Sequence, residues 1–145
     1  MAKFRITICA VLVLLLLSVT ATTADLTESL KAGKADLKSA GALAFGPDGV
    51  LFVGDSIGGM IYALDTQDRT ASQATAVEVT GLGDKIAAML GTTAAQITVN
   101  DVAVNPASKK TYVSVSRGTA ADATPVIVRI DTTGKLDALA LDNAR

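Results

Sequence analysis

Short apolar runs separated by turn-forming residues occupy the chain from Gly41 onward. The runs at residues 42–45 and 50–53 flank Gly46-Pro47-Asp48-Gly49, a breaker in which proline presets φ and glycine supplies a positive φ. A turn at residues 58–59 and a strand over 60–65 follow, and residues 76–80 alternate as a further strand. This pattern predicts a four-stranded antiparallel meander.

Residues 84–91 have a helical pattern instead. Ile86, Met89 and Leu90 are spaced three and four apart, Asp84 precedes them as a predicted N-cap, and Gly91 ends the run. Residues 93–96 have the spacing of a capping box, which can begin one more turn. The pattern predicts a short helical insertion between two β regions.

The second β region repeats the first with its parts in the same order. Residues 102–106, VAVNP, correspond to residues 43–47, LAFGP. The run at 111–115 corresponds to the strand around Phe52, and residues 126–132 correspond to residues 61–66. After a turn at 133–135, residues 136–141 alternate as a fourth strand. The second region is therefore predicted to have the same four-stranded form.

The strings at 43–53, LAFGPDGVLFV, and at 60–65, MIYALD, resemble a blade of the NHL-type and gluconolactonase-type β-propellers. The resemblance implies an all-β fold of two four-stranded antiparallel propeller-like blades with a short helical insertion between them. A small immunoglobulin-like sandwich is the alternative fold. Propellers close with about four to eight blades, so two blades imply either the N-terminal part of a longer propeller or copies that assemble into a ring.

The N-terminus has the pattern of a cleavable secretory signal peptide. Lys3 and Arg5 precede an apolar run over 6–17 and small residues over 18–24. The run is shorter than the roughly 20 residues that a membrane-spanning helix needs, although an uncleaved anchor is the alternative. We predict a signal-peptide helix at 1–24, a lead-in at 25–40, whose secondary structure is left open, a first blade at 41–82, the helical insertion at 83–96 and a second blade at 97–145. Such a chain is secreted or periplasmic and keeps no stable membrane anchor after cleavage.

Composition excludes several classes of function. The chain has 13 Lys and Arg residues against 14 Asp and Glu residues, and no basic patch that would bind nucleic acid is visible. Its one cysteine, Cys9, lies in the predicted signal peptide, so the exported part forms no disulfide. The absence of histidine excludes Ser-His-Asp triads and histidine-ligated zinc. The expected partner is a protein or small-molecule ligand, with missing blades or self-association needed to close a propeller.

Asn100 and Asp101, together with the residues that follow them, resemble the N-D-apolar-apolar-V-x-P segment of propeller lactonases of the gluconolactonase and paraoxonase kind. The resemblance implies that both side chains bind a divalent metal. Ca²⁺ prefers such oxygen donors and would polarise a lactone carbonyl. The chain departs from that pattern at 39–41, SAG, where those lactonases have an acidic residue, and in lacking their catalytic histidine. The alternative is that both side chains cap a turn.

Ligands of propellers usually bind around the central channel, on the face where the innermost strands begin. We therefore expect Asp55, Ser56 and Arg117 to lie on one face, together with residues 100–101 and the helical insertion. Turn capping is the alternative for Asp55. Two functions follow: a binding or scaffold module without catalysis of its own, or the N-terminal part of a calcium-dependent, lactonase-like hydrolase.

Overall fold

The computed structural model describes residues 27–75, 77–119 and 122–142, which form two antiparallel sheets and one helix but no closed barrel. The predicted signal peptide at 1–24 lies outside these residues. The described residues contain no helix that is both long and apolar enough to span a membrane. The first sheet contains β1 (Leu43–Phe45), β2 (Val50–Asp55) and β3 (Met60–Asp65). Helix α1 (Leu82–Met89) precedes the second sheet, which contains β4 (Ile97–Val104), β5 (Thr111–Arg117), β6 (Thr124–Ile130) and β7 (Leu136–Ala138).

Two tight hairpins build the first sheet and confirm the predicted turns. β1 and β2 pair antiparallel around a short 3-10 turn at Pro47–Gly49, where Gly49 has a φ of 72°. β2 and β3 pair antiparallel around residues 56–59, where Gly59 has a φ of 66°. Glycine adopts such positive φ values without a steric penalty, so both turns follow from the local sequence.

The sequence pattern predicts a fourth strand of the first sheet at 76–80. This prediction is wrong over residues 77–79, which the structure describes and which form no strand. The Thr66 hydroxyl donates to the carbonyl of Gly49 (2.7 Å), and the Asn105 side chain donates to the carbonyl of Asp68 (2.7 Å). These bonds direct the chain after β3 towards the second sheet, where Val79 packs against a hydrophobic cluster. Tertiary contacts thus override the local strand pattern, and β3 is an edge strand.

The second sheet has four strands in the order β4-β5-β6-β7, as the repeat predicts. β7 ends at Ala138, before the predicted end at residue 141. The register between β4 and β5 shifts between Val99 and Asp101, which makes Asn100 a bulge. Because a bulge re-aims the side chains around it, this irregularity affects both residues of the predicted metal site.

Helix α1 confirms the predicted insertion but begins earlier than expected. Gly81, with a φ of 63°, is its N-cap and no side chain caps it, so the predicted cap at Asp84 is wrong. Leu82 is already helical, and Asp84 lies in the first turn, where a carboxylate is favoured by the helix dipole. The predicted end of the helix is confirmed, since Gly91 has a φ of 66° and its N–H bonds to the carbonyl of Ala88 (3.2 Å).

The two broad faces of the second sheet pack against different elements, and only the β4 edge of one face, at Val99, Val102 and Val104, is exposed among the valines of these strands. One face packs against α1 through a cluster that includes Ile86, Val113 and Val128. The other face contributes Tyr112 and Ile127, which pack against the first sheet. Three buried residues of the lead-in complete this junction: Ala35, Leu37 and Ala40. The first sheet meets it with four buried aliphatic side chains, which we call the inner face: Leu43, Leu51, Val53 and Leu64.

The opposite side of the first sheet is open to solvent around Ala44, Phe52, Ile61 and Ala63, which we call the free face. Ala44, Phe52 and Ala63 are cross-strand neighbours, and Ile61 shares their side because strand residues two apart face the same way. Phe52 is 39% exposed and Ile61 is 76% exposed. The free face is apolar, and it ends at Asp65, which lies on the same side of the sheet and pairs with Arg69 (2.9 Å).

The strand registers align the two repeats residue by residue. Phe52 and Tyr112 both lie opposite an alanine of the first strand in their sheet. In β3, Ala63 lies opposite Phe52, and Ile61 comes two residues before Ala63. In β6, Arg129 lies opposite Tyr112, and Ile127 comes two residues before Arg129. Tyr112 and Ile127 are 0% exposed, so the second repeat buries the same positions that the first repeat exposes.

Candidate functional site

Asp55, a predicted ligand-face residue at the end of β2, is 1% exposed and accepts four hydrogen bonds. Its Oδ2 accepts the backbone N–H of Lys38 (2.8 Å). Its Oδ1 accepts the backbone N–H (2.9 Å) and hydroxyl (2.7 Å) of Ser39 and the N–H of Gly58 (2.7 Å). A Cβ at position 58 would collide with this carboxylate, which explains the glycine. Asp55 therefore ties the lead-in to the β2–β3 turn.

These bonds hold Asp55 in its charged form. Burial alone would raise the pKa of Asp55, but the bonds from Lys38, Gly58 and Ser39 lower it from 3.8 to about 2. A carboxylate with so low a pKa is a poor general base near neutral pH. The arrangement therefore positions the Ser39 hydroxyl without activating it as a nucleophile.

The chain is expected to lose stability through Asp55 as the pH falls from about 4 to about 2. The folded pKa lies below the unfolded value, so this group's contribution is complete above the unfolded pKa and disappears as the pH falls through the folded pKa. Denaturant unfolding between about pH 5 and pH 2 measures the effect. The Asp55→Asn variant is expected to have a lower free energy of unfolding at neutral pH, and this free energy is expected to fall less as the pH is lowered. Parallel pH curves for the two proteins would count against this role.

Asn100 and Asp101, the predicted metal ligands, both bond to backbone groups of residues 40–43, where the lead-in joins the first repeat. Asn100 Nδ2 donates to the carbonyl of Ala40 (2.7 Å) and to the hydroxyl of Ser116 (2.9 Å). Asp101 Oδ2 accepts the N–H of Leu43 (2.7 Å), and its Oδ1 accepts the N–H of the following residue (2.8 Å). The two backbone N–H groups hold the pKa of Asp101 below its usual range.

Ser114 adds a third bond between the repeats, because its hydroxyl donates to the carbonyl of Gly41 (2.7 Å). We call Asn100, Asp101 and Ser114 the polar clamp. The clamp satisfies backbone groups of residues 40–43 at the junction of the two sheets, where unpaired groups would be costly.

The prediction that Asn100 and Asp101 bind Ca²⁺ stays a prediction. Ca²⁺ takes six to eight oxygen ligands, and these two residues alone do not supply that set. Within residues 27–75, 77–119 and 122–142, no group of three or more His, Cys, Asp or Glu side chains could hold a metal ion. A bound ion would also compete with the two N–H groups that Asp101 already accepts.

Ser56 and Arg117, the other predicted ligand-face residues, are exposed. The Ser56 hydroxyl lies 3.5 Å from the Ser39 hydroxyl, at the same turn as Asp55, whereas Arg117 is the last residue of β5. The structure thus gathers Asp55, Ser56 and Asn100 around residues 39–40. Helix α1 packs instead on the broad face of the second sheet.

Asp68 is a buried polar residue that the sequence pattern does not reveal. Its carboxylate accepts the hydroxyls of Ser108 (2.5 Å) and Tyr112 (3.1 Å) and the ammonium of Lys110 (2.7 Å), and Asn105 donates to its carbonyl. Burial alone would raise the pKa of Asp68, but Lys110 and Ser108 hold it below its usual range. A lone aspartate in a polar loop carries no sequence signal for this role. Asp68 anchors the end of the first repeat to the second.

An open, largely apolar groove of about 450 Å³ lies where the free face meets the β2–β3 turn. Two predicted ligand-face residues, Asp55 and Ser56, line it together with Gly41, Ala42, Gly54, Gly59, Met60 and Ile61. Since Ile61 belongs to both, the groove continues the free face.

The predicted carboxylates at positions 55 and 101 are hydrogen-bonded to the protein's own backbone, while the groove and the free face remain open. In comparisons with known proteins, no family model, curated protein or solved structure matches the chain.

Proposed function

We propose that the chain is an exported binding module without catalysis of its own, built from two propeller-type repeats, that docks through its free face on another β-sheet. The observation that carries the proposal is the unequal exposure of equivalent residues. Phe52 and Ile61 are 39% and 76% exposed, whereas Tyr112 and Ile127 are 0% exposed. One repeat covers this face, and the other presents it to solvent.

The chemistry of the partner follows from what covers the equivalent face of the second repeat. Tyr112 and Ile127 pack against the inner face of the first sheet, whose side chains are leucine and valine. An aliphatic face on a further antiparallel sheet therefore fits the free face, because its burial removes apolar area from water. The second sheet's own aliphatic face is covered by α1 around Val113 and Val128, whereas Val102 and Val104, at the β4 edge of that face, are 50% and 53% exposed.

Two further features support a binding role. Contiguous apolar patches on a protein surface commonly mark sites of interaction with other proteins. The carboxylates of Asp55 and Asp101 accept hydrogen bonds from the chain itself, which gives them a structural use. Export rests on the signal peptide predicted at 1–24.

Without its partner, the wild-type chain is expected to self-associate weakly and reversibly through the free faces of two copies. Light scattering after size exclusion, at increasing protein concentration, measures this association. Phe52→Lys is expected to abolish it, because an ammonium at the centre of an apolar interface would lose its hydration. Ile57→Lys is the matched control, since Ile57 is also exposed (74%) but lies in the β2–β3 turn, outside the free face.

Circular dichroism should show the same β signal in both variants. Equal association of the Phe52→Lys and Ile57→Lys proteins would contradict a role of the free face in association. A wild type that remains monomeric at every concentration would contradict the predicted self-association.

A further inference from the structure

We infer that the open edge of β3 binds an extended strand of another protein, which pairs antiparallel with β3 and completes the first sheet. The inference goes beyond the proposed function, because it concerns the edge of this sheet rather than its free face. Its basis is a difference between the two repeats. β3 is the last strand of the first sheet, whereas β6, the equivalent strand of the second repeat, is paired with β7.

The strand register shows which backbone groups point to this edge. Residues of an antiparallel strand direct their N–H and C=O groups alternately towards the paired strand and away from it. The N–H of Thr66 donates to the carbonyl of Gly49 (3.3 Å), so every second residue back from Thr66 bonds towards β2. Ile61 and Ala63 therefore direct their N–H and C=O groups to the open edge. Within the part of the chain that the structure describes, no hydrogen bond reaches these groups.

The second repeat shows what bonds to the same edge. The carbonyl of Ile127, the equivalent of Ile61, accepts the N–H of Leu139 (2.8 Å). Arg129, the equivalent of Ala63, lies opposite Asp137 of β7. The edge that is open in the first repeat is thus occupied in the second by β7 and the residue after it. A strand of the same kind is therefore the occupant that fits β3.

The side chains of β7 indicate the chemistry of this occupant. Leu136 and Leu139 pack against the two hydrophobic clusters on opposite sides of the second sheet. β3 likewise has an apolar residue on each side of its sheet, since Leu64 is 3% exposed on the inner face and Ile61 is 76% exposed on the free face. The occupant is therefore an extended segment with apolar side chains on both of its sides.

β3 also lacks the features that protect the edges of sheets. Proteins commonly shield an edge by keeping its strand short, by a bulge, or by a proline or lysine on it. β1 and β7 have three residues each, and β4 contains the bulge at Asn100. β3 has six residues that pair with β2 without a register shift, contains neither proline nor lysine, and has its one charged residue, Asp65, at its end. Among the edge strands of the two described sheets, β3 alone lacks this protection.

The strand must come from outside the folded chain. The residues that follow β3 do not supply it, because the bonds of Asp68 hold them against the second repeat. The β7 strand of a second copy does not supply it either, because it is already paired with its own β6. We therefore assign the edge to a segment of a different protein.

The test uses residues 25–145 and a fluorescent peptide with the sequence of residues 134–141, GKLDALAL, which covers this edge in the second repeat. Wild type is expected to bind the peptide saturably, as measured by fluorescence anisotropy. Ala63→Pro is expected to weaken binding about tenfold or more, because proline removes the N–H at the centre of the open edge. This N–H makes no bond to β2, so the sheet is expected to fold, and circular dichroism checks that it does.

Val104→Pro is the matched control. The N–H of Asn105 donates to the carbonyl of Lys110 (2.9 Å), so the N–H of Val104 points away from β5, to the edge of β4. The same kind of change is thus made on the other sheet, and this variant is expected to bind the peptide like wild type.

A second peptide carries Leu139→Pro and lacks the N–H that bonds to Ile127 in the chain. Wild type is expected to bind it about tenfold or more weakly, a result that does not depend on the folding of any variant. Equal affinity for the two peptides would overturn the inference, as would equal affinity of wild type and folded Ala63→Pro, an equal loss in Val104→Pro, or a wild type that binds no peptide.

A second copy of the chain is the other occupant that this experiment can detect. Self-association that Ala63→Pro abolishes and Phe52→Lys does not would assign the edge to a second copy and overturn the inference. Phe52 lies on β2 and not on this edge, so the association assay with Phe52→Lys tests the proposed function separately.

Discussion

Replacing Asp68 by alanine is expected to lower the free energy of unfolding by about 3–5 kcal/mol. The Asp68 side chain is 3% exposed and accepts the Lys110 ammonium at 2.7 Å. Its removal leaves Lys110, which is 31% exposed, without a counter-charge and leaves the buried hydroxyls of Ser108 and Tyr112 without their acceptor. The loss is large because the same carboxylate holds the end of the first repeat against the second.

Urea unfolding at neutral pH, followed by circular dichroism, measures the effect. Asp137→Ala is the control. The Asp137 carboxylate is 56% exposed and pairs with Arg129 at 2.6 Å, so its loss is expected to change stability by only about 0–1 kcal/mol. Equal losses in the two variants would show that Asp68 is no more important than a surface ion pair.

Ile127→Ala is expected to destabilise the chain by about 2–5 kcal/mol, whereas Ile61→Ala is expected to change stability by about 0.5 kcal/mol or less. The two isoleucines occupy equivalent positions in their repeats. Ile127 is 0% exposed against the first sheet, and Ile61 is 76% exposed on the free face. The same change of side chain therefore creates a cavity in one repeat and only trims the surface of the other.

Both variants should be unfolded by urea at a low protein concentration, at which the free faces of separate copies do not associate. A loss at Ile61 as large as that at Ile127 would contradict the open face on which the proposed function depends. With an aliphatic partner sheet bound, Ile61 would be buried as Ile127 is, and Ile61→Ala would then reduce affinity rather than the stability of the isolated chain.

The three hairpin turns and the strands around them were predictable from the sequence, because their cause is local. Gly49, Gly59 and Gly134 have φ values of 72°, 66° and 84°, which other residues adopt only with strain. The alternation of apolar side chains then determines which residues pair across the turn. The repeat of these parts also predicted that the two sheets are related.

The fourth strand of the first sheet was not predictable, because the segment that would form it has the same alternation as a real strand. Val77 and Val79 lie within 4 Å of a Cβ built at Gly134, in the turn between β6 and β7. The anchor at Asp68 holds the preceding residues beside the second repeat, so the segment cannot return to pair with β3. Both contacts join residues far apart in the chain.

The candidate site was only partly predictable in position and not in role. Asp55 stands at the end of β2, whereas Asn100 and Asp101 lie at the bulge in the middle of β4 and not before the strand as the sequence pattern predicts. Their partners are backbone groups of residues 38–43, and no spacing in the sequence pairs them. Asp68 was missed for the same reason, since four side chains of the second repeat make five hydrogen bonds to it.

The sequence by itself determined the turns, the strand pairing within each hairpin and the short helix, because these depend on the φ preferences and the periodicity of neighbouring residues. Only the tertiary structure decided which sheet faces are covered and which polar side chains are engaged. Phe52 and Tyr112 have the same local pattern, yet one is half exposed and the other is buried, because burial depends on whether a distant segment packs against the face. The first repeat ends the stack of sheets with the free face, and this exposed position is the reason for proposing it as a binding surface.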